Sequence, residues 1–364
     1  MDRPTQVIIN QQALAHNLRV VKKQAPKQKI IAMVKANAYG CGIESVIPLL
    51  EGKVDAFGVA SMEEAIAIRK LGGHTDCVLF QGVRSPDSLK IAADNRFQCV
   101  INNSHQLHTL LNTPLEKALT IWIKVNTGMN RLGFCPKTIP DIIASLNHCQ
   151  WITKPIGLMT HFACADDPSN AFNQQQLHAF SSIPLKHHEI KCTLANSAAI
   201  LALPTSHADV VRPGIMLYGV SPFANKTGRE LGLLPVMHFV SRITVIHAIP
   251  AGACVGYNGT WCAKKPSRIA VIPVGYGDGY PRHIQPNTPV WISGKHAPIV
   301  GNVSMDMLTI DITAHPDIQI NDCVELWGAH LPIEQIALSA GTIAYELLSQ
   351  ISPRARANMD NINP

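Results

Sequence analysis

The chain opens with a short apolar run, Val7-Ile8-Ile9, and then changes period. Leu14, Leu18 and Val21 recur at helical spacing and predict a helix over 11–24. From there the pattern alternates. Apolar runs of strand length at 30–35, 55–60, 77–81, 97–101, 120–125, 156–160, 191–195 and 209–212 are separated by helical stretches. Ser61-Met62-Glu63-Glu64 reads as a capping box, and Ser85-Pro86 as an N-cap with proline at the first helical position. Ser104 reads as the cap of a helix carrying Leu107, Leu110 and Leu111, and helices also fit 138–147, 170–182 and 197–203. Eight apolar strands alternating with helices, spread over about 230 residues, predict an α/β fold of the (β/α)8 TIM-like barrel type. An open doubly wound sheet is the alternative, although Gly40-Cys41-Gly42 lacks the third glycine of a dinucleotide fingerprint.

Near residue 232 the period shortens. Strand patterns over 236–249, 268–274, 289–292, 307–312 and 323–327 are separated by turn signals at Ala251-Gly252, Asn258-Gly259 and Ser293-Gly294. Helices are predicted at 333–338 and 342–349. The expected organisation is a barrel over 1–232 followed by a mostly β C-terminal domain over 233–364, with residues 1–10 as a candidate strand added to the second domain. A length of 364 residues suits one large barrel plus a smaller domain.

Composition narrows the function classes. The chain is 46% hydrophobic and 15% charged, which predicts a full core rather than a disordered chain. The net charge of +6 comes from scattered basic residues without the clustered face that nucleic acid requires; it suits attraction of small anions. No apolar run reaches membrane-spanning length, and the polar opening Met1-Asp2-Arg3-Pro4 does not resemble a signal peptide. The ten cysteines form no CxxC pair, and His161 with Cys164 is too little for a zinc site. The expectation is a cytoplasmic protein with reduced thiols and no metal.

Chemistry concentrates at predicted strand ends, where a barrel builds its active site. The run Ile30–Val34 delivers Lys35 to such an end. A lysine partly removed from water loses its proton easily and becomes a base or a Schiff-base nucleophile. A lysine snorkelling from a strand end fits the same pattern. Other strand ends lead to Tyr39, to Lys124 and Arg131, to His161, to Ser197, and to Arg212 with Gly214. Ser197 opens a predicted helix and Gly214 permits close backbone approach, a suitable pair for a phosphate after the last two strands. A plain cap and a plain turn are equally compatible with those two residues.

Several longer motifs, in order along nearly the whole chain, resemble the alanine racemase family. They include Val34-Lys35-Ala36-Asn37-Ala38-Tyr39-Gly40, Asn126-Thr127-Gly128-Met129-Asn130-Arg131-Leu132-Gly133, Thr160-His161-Phe162-Ala163 and Asn196-Ser197. Val211-Arg212-Pro213-Gly214-Ile215, Gly256-Tyr257, Val274-Gly275-Tyr276-Gly277-Asp278-Gly279-Tyr280 and Val303-Ser304-Met305-Asp306 continue the match. The resemblance implies interconversion of L-alanine and D-alanine, for peptidoglycan supply or catabolism, by a homodimer carrying pyridoxal 5'-phosphate on Lys35. It implies two bases, Lys35 for the D-form and Tyr257, reaching over from the second subunit, for the L-form. Tyr39, Ser197, Gly214, Ile215 and Tyr345 match phosphate-binding positions. Arg212 matches the residue facing the pyridine nitrogen, and His161 joins it to Tyr257. Arg131 and Met305 match substrate-carboxylate contacts, with Lys124 orienting Arg131; Tyr276 and Asp306 complete the set as supporting residues. Cys41 stands where the family usually has histidine, and Asn302 where it often has arginine near the substrate entrance. Rival readings are a broad-specificity amino-acid racemase, a barrel decarboxylase with the same cofactor, and a non-catalytic pyridoxal-phosphate carrier.

Overall fold

The computed structural model describes residues 3–185 and 190–355. Strand β1 (Gln6–Ile9) and helix α1 (Gln11–Gln24) lead into eight barrel strands: β2 (Lys29–Met33), β3 (Ala56–Val59), β4 (Asp76–Leu79), β5 (Phe97–Ile101), β6 (Ile121–Lys124), β7 (Ile156–Met159), β8 (Ile190–Thr193) and β9 (Val210–Val211). They pair in parallel, in chain order, and β2 closes on β9. All eight predicted strands are present within two residues. Apart from β8, where Lys191 is exposed, the strands are largely buried on both faces because helices cover the outside and side chains fill the inside, which is why they read as apolar runs. The interior holds Ile31, Met33, Val78, Val100, Trp122 and Met159. Gly157 makes room for the indole of Trp122: a Cβ there would lie 2.2 Å from the ring.

The helix starts differ from expectation in two places. Ser61 makes no capping hydrogen bond; instead Glu64 accepts from the Ala60 N–H at 2.7 Å and the Ala36 N–H at 2.8 Å. The cap at 104–111 is Asn103, whose side chain accepts from the Gln106 N–H; Ser104 is already helical. The Ser85 cap forms as predicted.

The second part is antiparallel. Strands β10 (Met237–Arg242), β11 (Val245–Ile249), β12 (Cys254–Val255), β13 (Trp261–Cys262), β14 (Ser267–Ile272), β15 (Pro289–Ile292), β16 (Lys295–Val300), β17 (Leu308–Asp311) and β18 (Cys323–Trp327) follow in order. An eight-stranded sheet runs β1-β10-β18-β15-β16-β17-β14-β11, with β1 paired against β10. The apolar stretch 236–249 is two strands rather than one. Its ends pair with different neighbours, β18 and β14, and the Ile243 and Thr244 N–H groups bond to one neighbour each at the bend. The expectation of reduced thiols is corrected at one place. Cys254 and Cys262 are directly opposed in the β12–β13 ribbon and form a disulfide. An eight-residue spacing carries no signature in sequence; the register of the ribbon brings the two sulfurs together.

Candidate active site

Lys35 follows β2 at the barrel's C-terminal mouth. The next four residues take an uncommon path: Ala36, Asn37, Ala38 and Tyr39 all have φ of 52–53°, a single left-handed turn. L-residues pay roughly 1–2 kcal/mol each for this conformation, so the turn stores on the order of 4–8 kcal/mol. Backbone bonds from Ala38 to Val34 and from Gly40 to Ala36 help hold it, and Glu64 grips the Ala36 N–H. Strain of this kind persists where surrounding structure enforces it, and it clusters at functional sites. Its effect here is to return Tyr39 to the mouth, stacked on Tyr218 with ring centres 4.8 Å apart and with Tyr345 at 6.2 Å.

A cavity of about 550 Å³ opens at this mouth. Lys35, Tyr39, Lys124, Arg131, His161, Ser197, Arg212, Gly214, Ile215 and Tyr345 all line it. Residues from the ends of all eight barrel strands, and Tyr345 and Ser349 from the C-terminal part, thus meet in one space. The Ser197 hydroxyl accepts from the Gly214 N–H at 2.8 Å, fixing the loop after β9 against the helix Ser197–Ala202.

Electrostatics make the cavity strongly basic. Arg212 is 3% exposed. It donates to the Thr193 hydroxyl at 2.7 Å and to the carbonyls of Thr160 at 2.8 Å and Leu194 at 2.9 Å, and lies 3.2 Å from His161 Nδ1. No carboxylate pairs with it among the described residues. Burial pulls its pKa down to about 9, so it is charged at neutral pH. Burial chiefly, then Arg212, Lys124, Arg131 and Lys35, holds His161 well below the usual histidine range, and hence neutral. His161 Nδ1 is then free to accept from Arg212. Lys35 is lowered by burial first and then by Arg131, against a smaller opposing pull from Glu64. Lys124 is lowered strongly by burial and the same cations.

The remaining candidates lie on the antiparallel part and outside this cavity. Tyr257 sits at the tip of the β12–β13 ribbon, 68% exposed. Met305 is 53% exposed. Its carbonyl accepts from the Gly277 N–H at 2.9 Å and from Arg354 at 3.2 Å. Tyr276 stacks under Arg282, and Asp306 pairs with Arg354 at 2.9 Å. Asp278, fully buried, is clamped by Arg3 at 2.5 Å and Arg354 at 2.8 Å. Asn302 donates to the Tyr257 carbonyl at 2.9 Å. The chain therefore presents a cation-rich cavity at the barrel mouth and, outside it, exposed Tyr257 and Met305 on the antiparallel part. Sequence marked Asn302 only as a departure near the substrate entrance, and it did not single out Glu64 or Arg354 as site-building residues. Glu64 was visible only as a cap, and Arg354 has no local signal because its side-chain partners Asp306, Met305 and Asp278 lie far back in the chain.

The donor set suits pyridoxal phosphate. Arg212 Nε makes no hydrogen bond among the described residues, leaving a buried cation's donor for a ring nitrogen that accepts. The amine of Lys35 and the hydroxyls of Tyr39 and Tyr345 share the same space. A closed parallel barrel whose mouth holds two lowered lysines, Lys35 and Lys124, beside Arg131 and Arg212, joined to an antiparallel sheet, has the make-up of an enzyme. Family models agree with this architecture: "Alanine racemase, N-terminal domain" matches residues 9–222 and "Alanine racemase, C-terminal domain" matches 236–359. The chain is 57% identical to an alanine racemase of Legionella pneumophila over 98% of this chain and 99% of that one. Among solved structures, the alanine racemase from Acinetobacter baumannii aligns with a TM-score of 0.91 at 42% identity, covering 97% of this chain and 98% of that one. The alanine racemase from Bartonella henselae, with covalently bound pyridoxal phosphate, aligns at 0.87 and 30% identity, covering 97% and 98%. The chain belongs to the alanine racemase family, a family of isomerases.

Proposed function

We propose that this protein interconverts L-alanine and D-alanine with pyridoxal phosphate held at Lys35, as a homodimer in which each cavity is completed by the partner's half-site. The observation that carries the reading is the division of the site. The cavity holds one candidate base, Lys35, while the second, Tyr257, projects from the antiparallel part into solvent. A second copy supplying Tyr257 would put a base on each face of the substrate Cα.

The residues that would hold the cofactor are Lys35 by its amine, Arg212 at the ring nitrogen, and Tyr39, Ser197, Gly214, Ile215 and Tyr345 around the phosphate. When bound, pyridoxal phosphate acidifies the Cα proton of the amino acid joined to it. The protein's residues do the rest. Lys35 Nζ, lowered by burial and by Arg131, exchanges a proton with Cα on one face. Tyr257 Oη exchanges one on the other. Arg131 and the Met305 backbone hold the alanine carboxylate, with Lys124 beside Arg131. Neutral His161 joins Tyr257 to the fixed charge of Arg212, which favours the phenolate. Guanidinium only donates hydrogen bonds, so Arg212 withholds a proton from the ring nitrogen and restrains transamination. Tyr276 and Asp306 support the Met305 loop.

The deciding experiment offers a panel of L-amino acids to the cofactor-loaded protein and follows the D-isomers by chiral chromatography. D-alanine as the dominant product supports the reading; equal rates across the panel indicate a broad-specificity racemase, and no racemisation refutes both.

A further inference from the structure

The ribbon that carries Tyr257 has very little structure of its own. It comprises two residue pairs, Cys254 with Cys262 and Val255 with Trp261, and stands apart from the eight-stranded sheet. Isolated two-stranded hairpins are marginal in water. Its loop is also unusual in backbone, with Gly256, Asn258 and Gly259 at φ of 74°, 64° and 52°. Two links define where the tyrosine goes. One is the Cys254–Cys262 disulfide across the base of the loop. The other is the Asn302 amide, which holds the Tyr257 carbonyl from the sheet domain. Gly301 packs beneath the ribbon so closely that a Cβ there would lie 2.8 Å from the Val255 carbonyl. Both cysteines are exposed in the protomer, whereas Cys41, Cys77, Cys99 and Cys149 are buried thiols.

We propose that the Cys254–Cys262 disulfide and Asn302 are positioning residues for Tyr257, so that the racemisation rate follows the redox state of this cysteine pair. The inference rests on the reading of Tyr257 as the second base. Opening is thiol–disulfide exchange with a dithiol reductant. The S–S bond breaks, both sulfurs become thiols by gaining two electrons and two protons, and the dithiol closes to its own disulfide. Closure is the reverse reaction with a small-molecule disulfide as oxidant. In the open form the loop keeps the short β12–β13 pairing, the Asn302 bond and the Gly301 contact but loses its covalent tie, and the phenol samples a wider range of positions. A 1 Å misplacement can cost ~100-fold, and partial loosening should cost roughly three- to tenfold in kcat, with KM nearly unchanged because substrate carboxylate contacts lie elsewhere.

The test uses cofactor-loaded protein, oxidised with glutathione disulfide or reduced with dithiothreitol, beside the Cys254→Ser/Cys262→Ser and Asn302→Ala variants. Alkylation and mass spectrometry assign the sulfur state. A second readout separates positioning from general weakening: loss of deuterium from D-[2-²H]alanine without inversion, relative to racemisation. Lys35 can still remove that deuteron when Tyr257 is displaced, so the ratio should rise in the reduced protein and in both variants. Reoxidation should restore the parent, and dithiothreitol should leave the serine variant unchanged. The inference is overturned if the oxidised protein holds no Cys254–Cys262 bond, if opening it changes neither kcat nor the ratio, or if the serine variant still responds to dithiothreitol. Tyr257→Phe keeps the two readings apart. Full activity in that variant removes Tyr257 as a base and this inference with it. An inactive Tyr257→Phe with a silent disulfide removes this inference alone.

Discussion

Gly214→Ala is a single added carbon with a consequence that can be worked out. An ideal Cβ at 214 lies 2.5 Å from the Tyr39 hydroxyl and 3.2 Å from the ring carbon bearing it. Ordinary contact is about 3.5–4.0 Å, so the hydroxyl must retreat by about 1 Å. Neither side yields easily. The Gly214 backbone is tied by its N–H to Ser197, and Tyr39 rises from the left-handed turn and stacks on Tyr218. Overpacking of this kind costs about 1–3 kcal/mol. If the strain falls on the phosphate-binding arrangement, the same energy weakens cofactor affinity roughly 5- to 140-fold, at about 1.4 kcal/mol per decade. Tyr39→Phe removes the atom in the closest contact and leaves the 3.2 Å one, so the double variant should recover stability relative to Gly214→Ala alone. The cycle should show a coupling of ~1–2 kcal/mol. Urea denaturation of the cofactor-free protein gives the four stabilities, and titration with pyridoxal phosphate gives the affinities. If Gly214→Ala matches the parent in both, or Tyr39→Phe rescues nothing, the close approach is not a constraint and the reasoning fails.

Four further outcomes follow from the same geometry. Lys35→Ala should lose the visible absorbance of lysine-linked cofactor and nearly all activity; an unchanged spectrum rules Lys35 out as the attachment point. Mixed dimers of Lys35→Ala and Tyr257→Phe subunits should regain activity, since each would contain one intact site; no recovery despite demonstrated exchange argues against shared sites. Glu64→Gln removes the negative charge that opposes the lowering of Lys35, so the pH–rate limb belonging to Lys35 should move to lower pH; an unmoved limb would detach that limb from Lys35. Folded His161 binds fewer protons than the unfolded chain between its depressed pKa and the usual value of about 6.5, so stability should rise with pH through that window and be lost below it. His161→Gln should flatten this slope in denaturation midpoints, and an unchanged slope assigns it to other groups.

Sequence periodicity disclosed the barrel because most of its strands are buried on both faces and are therefore largely apolar. It located Lys35, His161, Ser197 and Arg212, with Tyr39, Lys124, Arg131 and Gly214 beside them, because they sit at or just beyond ends of those runs. The motif resemblance supplied the remaining candidates, including Tyr257 and Met305, which have no periodic signal at all. What stayed hidden depends on partners far away in the chain. The bend at Ile243–Thr244 lies inside an unbroken apolar stretch and is dictated by pairing with β18 and β14. Apart from Asn37, the left-handed turn at 36–39 contains residues with no special liking for positive φ, and its backbone bonds, Glu64 and the stacked tyrosines around it help explain its survival. Strand β16 was missed because Pro298 and charged Lys295 blur its alternation, although the Ser293-Gly294 turn before it was legible.

The pairing of β1 with β10 bears on how the protein is made. Gln6–Ile9 is synthesised well before its partner, which faces it as Gln6 opposite Val240 and follows about 230 residues later. At roughly 5–20 residues per second, that is a wait of roughly 12 to 45 seconds, during which the barrel strands can emerge and close. The apolar edge of β1 spends that interval without its hydrogen-bonding neighbour, open to the edges of other nascent chains. Slower translation would lengthen the exposure, and a chaperone that engages short apolar segments would have a target in this strand.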